Sequence, residues 1–417
     1  MRRLAFAVPL LLALPAVPAC GGGKKAHPYI PPEGGMDAGD DGGTMDAAMD
    51  AMVHGPVTCT ADIVDILVDA NGTNPHLAVA GGAAGFEVVW TEKRSGVTDA
   101  FSRFVPPAAA LPAEVPLSDG RSSTVQNAVV TDIPSGFLAT WTDNADGNNE
   151  LYSEALLAYG GQASAALRTT NNTGIGDDLA ALHPGATGAL LFWNQTTLSG
   201  PSAGTVSMHG LVDSTALPTG AVAQISASVN PIGSLRVAPL GSGLGLAYIG
   251  TDGKVHVLPL DGNGAGTGTD LTLSSEAIGS TSFDLAGSTL SGAAVFEQVI
   301  SSRHEVHFRR MEPNGTIGGA EFNLNNGPPG RAGSIARLAG GFAIAMRIND
   351  AGTNKIRVMF IDDFGYVFGD QTYSTLVDVD GEVRIRVDHA GHVLVAYTDD
   401  AATGANIRGL RLDCTGL

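Results

Sequence analysis

Cysteine occurs three times in 417 residues and lysine five times, aromatic residues make up only 6%, and from residue 57 onward no apolar stripe recurs at helical spacing. The last absence excludes solenoids of helical repeats, since a helix packed on one face must repeat its apolar residues at the helical period. Basic charge is scarce: 23 Lys and Arg face 42 Asp and Glu, and the formal net charge of −19 opposes binding to a phosphate backbone and excludes nucleic acid as a partner. A sequence 44% hydrophobic is not that of a disordered chain and fills one large or two ordinary domains.

Glycine is what the sequence has in excess. Its 56 copies are about twice the usual share of ~7%, scattered between apolar runs without a collagen-like period, which announces many turns. Among basic residues Arg outnumbers Lys 18 to 5, a composition resembling that of proteins from GC-rich bacterial genomes.

Residues 1–20 read MRRLAFAVPLLLALPAVPAC. The apolar part is about 16 residues, too short and too rich in proline to span a bilayer, and it reads as a cleaved export signal. Its end, Val17-Pro18-Ala19-Cys20, resembles the bacterial lipoprotein signal. That resemblance implies lipidation of Cys20, contact with a lipid bilayer through this anchor only, and, from Gly21, a route to the outer membrane or cell surface. Ordinary signal-peptidase cleavage is the alternative. Residues 21–56, with MDA written three times, bury too little to offset their ordering entropy and read as a tether, with a root-mean-square reach of roughly 33 Å. In an oxidising compartment the two remaining cysteines, Cys59 and Cys414, form the simplest disulfide, a clasp between the two ends of the folded part.

Self-similarity organises the rest. A glycine, four mostly apolar residues and an aromatic recur from Gly85 to Trp90, Gly136 to Trp141, Gly188 to Trp193 and Gly243 to Tyr248, with weaker copies at Phe296, Met346 and Tyr397. The spacings are 51, 52, 55, 48, 50 and 51 residues. Within a period the pattern is strand, glycine turn, strand ending at the anchor, polar loop, strand, turn, strand, each strand of about five residues. Strands such as FEVVW and ALLFW are apolar on both alternations and demand cover on both sheet faces. Radial packing supplies it, and the expectation is an all-β, seven-bladed β-propeller of four-stranded antiparallel blades over 57–417. Seven sets of first three strands begin near Leu77, Asn127, Leu179, Leu235, Phe283, Ile335 and Ile385, but only six fourth strands follow, near 115–118, 166–170, 223–228, 269–274, 321–325 and 372–379. The seventh is expected upstream, at 61–69, where an N-terminal strand completes the last blade and the disulfide locks the join.

The phrases WTDNADGNNELY and YTDDAATGANIRGL resemble repeats of bacterial β-propeller proteins related to sialidase-like and tryptophan-aspartate-repeat propellers, including surface lipoproteins of myxobacteria. The resemblance covers roughly 57–417 and implies the fold rather than an activity. No complete Asp-box is present, and the arginine triad and Tyr/Glu pair of sialidase-like propellers are not assigned.

The loops after the anchors, with the links between blades, gather on one rim, where a binding surface can diversify over a constant scaffold. Candidate rim residues are Asp143, Asp146, Asn148, Asn149, Glu150, Arg94, Arg303 and Asp399. Asp143, Asp146 and Glu150 are also a weak calcium candidate, calcium being the one cofactor the sequence suggests, although their spacing matches no established loop. Trp90, Trp141 and Trp193 invite a carbohydrate-stacking reading, yet each ends an apolar strand at the same repeat position and reads as inter-blade core. His304-Glu-Val-His307 looks like part of a zinc site, but a strand puts residues three apart on opposite faces, so no metal is expected there. Residues 301–417 hold 12 of the 23 Lys and Arg against 14 acids, a net −2 against −17 for 1–300, and an acidic partner or anionic glycan could dock on these arginines if nearby Asp do not pair them.

The function expected from these features is a monomeric, lipid-anchored envelope module, not an enzyme, binding an envelope or extracellular protein or a glycan. An accessory subunit of envelope assembly machinery and an extracellular glycan-active enzyme are the alternatives, the last requiring paired carboxylates near the axis. Replacing Cys20 by serine should move the protein from the membrane pellet to the soluble fraction, and unchanged membrane retention would count against the anchor.

Overall fold

Each copy of the repeat folds as four antiparallel strands. The computed structural model describes residues 57–67, 76–94, 96–118, 124–173, 175–197, 204–226, 234–278, 282–325, 328–375, 379–401 and 404–415; the signal sequence, Cys20 and the 21–56 tether lie outside them. Among the described residues seven four-stranded sheets form. Blade 1 spans 76–116, blade 2 125–168, blade 3 175–226, blade 4 236–272, blade 5 283–323 and blade 6 330–373. Blade 7 takes three strands from 379–415 and its fourth from Thr58–Leu67. The first strands of the blades touch one another in cyclic order, blade 7 returning to blade 1, which makes a closed ring with these strands innermost. Among the described residues no helix is long and apolar enough to cross a membrane.

The core is seven cores. Each apolar cluster is shared by two neighbouring blades, and each holds one anchor of the repeat. Trp90 fills the space between blades 7 and 1, Trp141 that between 1 and 2, and Trp193 that between 2 and 3. Tyr248, Phe296, Met346 and Tyr397 continue the series around the ring. Across the ladder several anchors stack on the residue opposite: Trp90 on Phe101, Trp141 on Tyr152, Tyr248 on His256 and Phe296 on His307. Such cross-strand pairs add roughly 0.2–1 kcal/mol each beyond burial.

The glycine that opens each phrase has its own reason. At Gly136, with φ of 147°, a Cβ would lie 2.2 Å from the carbonyl oxygen of Leu156, and at Gly188 one would lie 2.1 Å from that of Val212. The second strand starts pressed against the backbone of the third, and only glycine fits there.

The closure follows the sequence reading. Thr58–Leu67 pairs antiparallel with Gly404–Thr415, Cys59 stands opposite Cys414, and the two form a disulfide. The strand begins three residues earlier than expected. The outer strands depart from expectation more. In blades 1, 2, 4 and 5 they hold two residues each rather than about five: Val115–Pro116, Leu167–Arg168, Leu271–Thr272 and Phe322–Asn323. A short edge offers little template for another chain. In blades 3 and 6 they begin five residues before the expected positions, at Pro218 and Val367, because Asp213 and Asp362 accept backbone N–H bonds within tight turns and return the chain at once.

Two carboxyls are buried in the core between blades 1 and 2. Glu87 lies opposite Phe104, Glu154 lies opposite Ala139, and neither makes a hydrogen bond through its carboxyl oxygens. Burial pushes both up to about 8.

Two outcomes follow from this architecture. Replacing Cys59 and Cys414 by serine releases a loop closed over 355 residues and should lower unfolding stability by up to about 5 kcal/mol in guanidinium titration; an unaltered midpoint would refute the clasp. Between the ordinary glutamate value of 4.5 and about 8 the folded chain holds a proton at Glu87 that the unfolded chain has released, so stability falls as pH rises through that window. Glu87→Gln should remove that slope, gaining about 3–5 kcal/mol on wild type at pH 8 but little at pH 4.5, read by thermal unfolding against pH.

Candidate functional site

The rim formed by the hairpins between second and third strands is also the rim where the innermost strands begin. There the innermost strands of blades 2, 3, 6 and 7 depart from regular pairing at the same height. Each carries extra residues relative to its partner, between Gln126 and Val129, Asp178 and Ala181, Arg331 and Ser334, and Val379 and Val383. Asn127 and Leu179 take left-handed φ of 53° and 55°, and Gly381 takes 95°. For leucine this conformation costs roughly 1–2 kcal/mol, and bulges recur at barrel rims and binding sites because they re-aim side chains.

Asp178 holds the strained turns together. Its Oδ1 accepts from Asn127 Nδ2 at 2.8 Å, Thr142 Oγ1 at 2.7 Å and the Leu179 amide at 2.7 Å, and its Oδ2 accepts from Gln126 Nε2 at 3.2 Å and Asn149 Nδ2 at 3.4 Å. Blade 3 is thereby tied to blade 2 at the rim. The neighbouring Asp177 turns inward, accepting from Trp193 Nε1 at 2.9 Å and Asn172 Nδ2 at 2.7 Å.

The structure brings most of the oxygen-rich loop together, around an arginine. Arg168 donates to Asp146 at 2.7 Å and to Glu150 at 2.9 Å, and Asn148 Nδ2 donates to Glu150 at 2.7 Å. Glu150 is fully buried and also accepts from Thr170 and the Asn172 amide; Asp143 is buried and accepts from the Ala145 amide. The guanidinium thus stands between the two carboxylates a calcium ion would need, and no three His, Cys, Asp or Glu converge as metal ligands among the described residues. Asp399 is buried and paired with Arg408, whereas Arg94 bridges Glu92 and Glu114 over the Phe101 ring. Asp146 and Arg303 reach solvent. His304 bonds Glu297 at 2.6 Å, while His307 stacks on Phe296.

Among the described residues at least nine of the eleven arginines in 301–417 lie within ion-pair distance of a carboxylate. Arg310 and Arg337 both meet the Asp363 turn of blade 6, and Arg411 pairs with Asp62 of the closing strand. Most of these side chains join elements of the ring rather than present a basic face.

Two of them do something else. Arg384 and Arg386 alternate along the innermost strand of blade 7 and, with Arg236 of blade 4, border a cavity of about 80 Å³ on the axis, lined by innermost strands of blades 1 to 5 and 7. Asp284 is the counter-charge: Arg386 Nη1 lies 3.0 Å and Ser334 Oγ 2.6 Å from its Oδ2, with Arg236 Nε 3.7 Å from Oδ1. Burial alone would raise the Asp284 carboxyl, but the three guanidiniums and Ser334 hold it down to about 2. Arg384 pairs with Glu382 at 3.1 Å and donates to the Leu77 carbonyl. Burial, then repulsion from Arg384, brings the Arg236 guanidinium down to about 10, and burial lowers His76, which shares the cavity. Sequence reasoning missed this cluster at Arg236, Asp284 and His76. The available signal was VRIRV at 383–387, two charges alternating on an innermost strand where the first three blades write mostly Ala and Val.

At the other end of the axis a cavity of about 290 Å³ is lined by turns of blades 1, 2, 3 and 7, with His389 Nε2 3.0 Å from Asp132. Exposed apolar side chains occur on both rims as well as on outer strands, at Leu211, Val222 and Val367. Val299 and Ile300 stand on the hairpin rim, and Tyr159, Leu290, Phe364 and Tyr366 on the opposite one.

No protein-family model and no curated protein matches this chain. Among solved structures it is similar to the phage phi92 endosialidase, at 9% identity over 85% of this chain and 69% of that one, with a TM-score of 0.49. It is also similar to the fucose-specific lectin from Aleuria aurantia (11% identity, 75% and 97% covered, TM-score 0.41) and to the WD40 domain of SCAP from fission yeast (11%, 84% and 97%, 0.45). Strand order and register establish the chain itself as a seven-bladed β-propeller.

Proposed function

We propose that the protein is a non-catalytic binding or scaffold module, held at the cell envelope through lipid on Cys20, that takes a protein or glycan on the hairpin rim of its propeller. The observation that carries this reading is the set of bulges at one height in four innermost strands. Strained backbone is retained where the surrounding structure fixes it, and such places cluster at binding sites. The hairpins beside the bulges differ in length and chemistry while the blades below them repeat, which is how one scaffold accommodates a particular partner. Exposed Val299 and Ile300, beside Arg303, provide apolar contact area on that rim.

A second reading places the partner on the opposite rim, favoured by the exposed aromatics Tyr159, Phe364 and Tyr366. One experiment separates the two. Partners of the full-length protein would be isolated from envelope extract and a glycan array, and their affinity measured for two double variants. Val299→Ser with Ile300→Ser should weaken binding at least about tenfold, and Tyr159→Ser with Phe364→Ser should leave it unchanged. The reverse pattern would move the site to the opposite rim.

A further inference from the structure

We propose that the axial cavity is an anion site, taking one carboxylate or phosphate-like oxyanion on Arg236, Arg384 and Arg386, with His76 as a further hydrogen-bonding group. The inference stands apart from the rim reading, because it rests on the interior of the ring.

Three observations carry it. The first is charge: the charged side chains lining the cavity are three guanidiniums and one carboxylate, Asp284, while Glu382, paired with Arg384, and Asp178, which acts on His76, stand outside the lining. Within a low-dielectric ring that excess is a strong field for an anion.

The second is unused donors. Arg236 gives Nη1 to the Leu235 carbonyl, and its Nε is too far from Asp284 for a hydrogen bond. Arg386 directs Nη1 alone to Asp284, Ser334 and two carbonyls. Among the described residues the remaining N–H groups of these two arginines bond to no protein atom, and His76 Nδ1 is buried without a partner. His76 Nδ1 is the buried donor or acceptor left unmatched, and planar guanidiniums with spare N–H groups beside it on the cavity wall mark a place for oxygen acceptors.

The third is size. At about 80 Å³ the cavity is well below the roughly 300–1,000 Å³ of a site for a whole organic ligand, and it suits a single oxyanion group. That group belongs either to a free inorganic ion or to the acidic end of a larger ligand entering along the axis.

The test is thermal unfolding of the full-length protein in phosphate, in acetate and in chloride at matched ionic strength. Saturable stabilisation by about 2–5 °C over chloride is expected in wild type, absent in Arg236→Met and retained in the surface control Lys93→Met. A response to phosphate alone assigns a free inorganic oxyanion; a response to acetate as well shows that the acidic group of a larger ligand is admitted. No saturable response, or equal responses in wild type and Arg236→Met, would overturn the proposal. Should Arg236→Met fail to fold, wild-type crystals soaked in selenate decide: anomalous selenium density between Arg236 and Arg386 supports the site, and its absence overturns it. The rim variant of Val299 and Ile300 should keep the anion response, so failure of one idea is distinguishable from failure of the other.

Discussion

Everything in this structure depends on sheets that are apolar on both faces. A sheet such as that around FEVVW, with Phe86, Val88 and Trp90 on one side and Val89 with Phe104 on the other, is not stable beside water on either face. Each blade therefore needs two neighbours, and a row of blades would leave two bare faces at its ends. A closed ring leaves none. The anchor side chain is the local expression of this constraint, since each one leaves its own blade to fill a core shared with the preceding blade.

Most of this was legible in the sequence because it is written seven times. The anchors, the glycines before them, the missing outer strand and the pair of cysteines each have a reason that acts over a few residues or through simple counting. What was not legible depends on register. One extra residue at Asn127 or Leu179 re-aims a strand, and no composition signal marks it. Arg168 lies eighteen positions from Glu150 along the chain, yet strand pairing brings it between two carboxylates of the weak calcium candidate. The outer strands were misjudged for a related reason: an exposed edge is bounded by its turn rather than by apolar patterning, and the turns at Asp213 and Asp362 return the chain sooner than the repeat suggests.

The electrostatics run against the overall composition. A chain of net charge −19 keeps three arginines around its axis and uses most of its other C-terminal arginines as ties within and between blades. Conversely, Glu87 and Glu154 sit in a core where ionisation is disfavoured. Charge has been placed by what each position can compensate.

The pairing of Thr58–Leu67 with Gly404–Thr415 also has a consequence in time. A chain is made from its N-terminal side onward, so the strand that seals blade 7 emerges before any of its partners and must wait for Gly404–Thr415. Six blades can be assembled before that moment, but two of their faces stay bare until it arrives. Contacts this distant in sequence form slowly, and the long exposure of unsealed faces gives aggregation its opening. A cross-link that forms at the end then turns a late and reversible event into a permanent one.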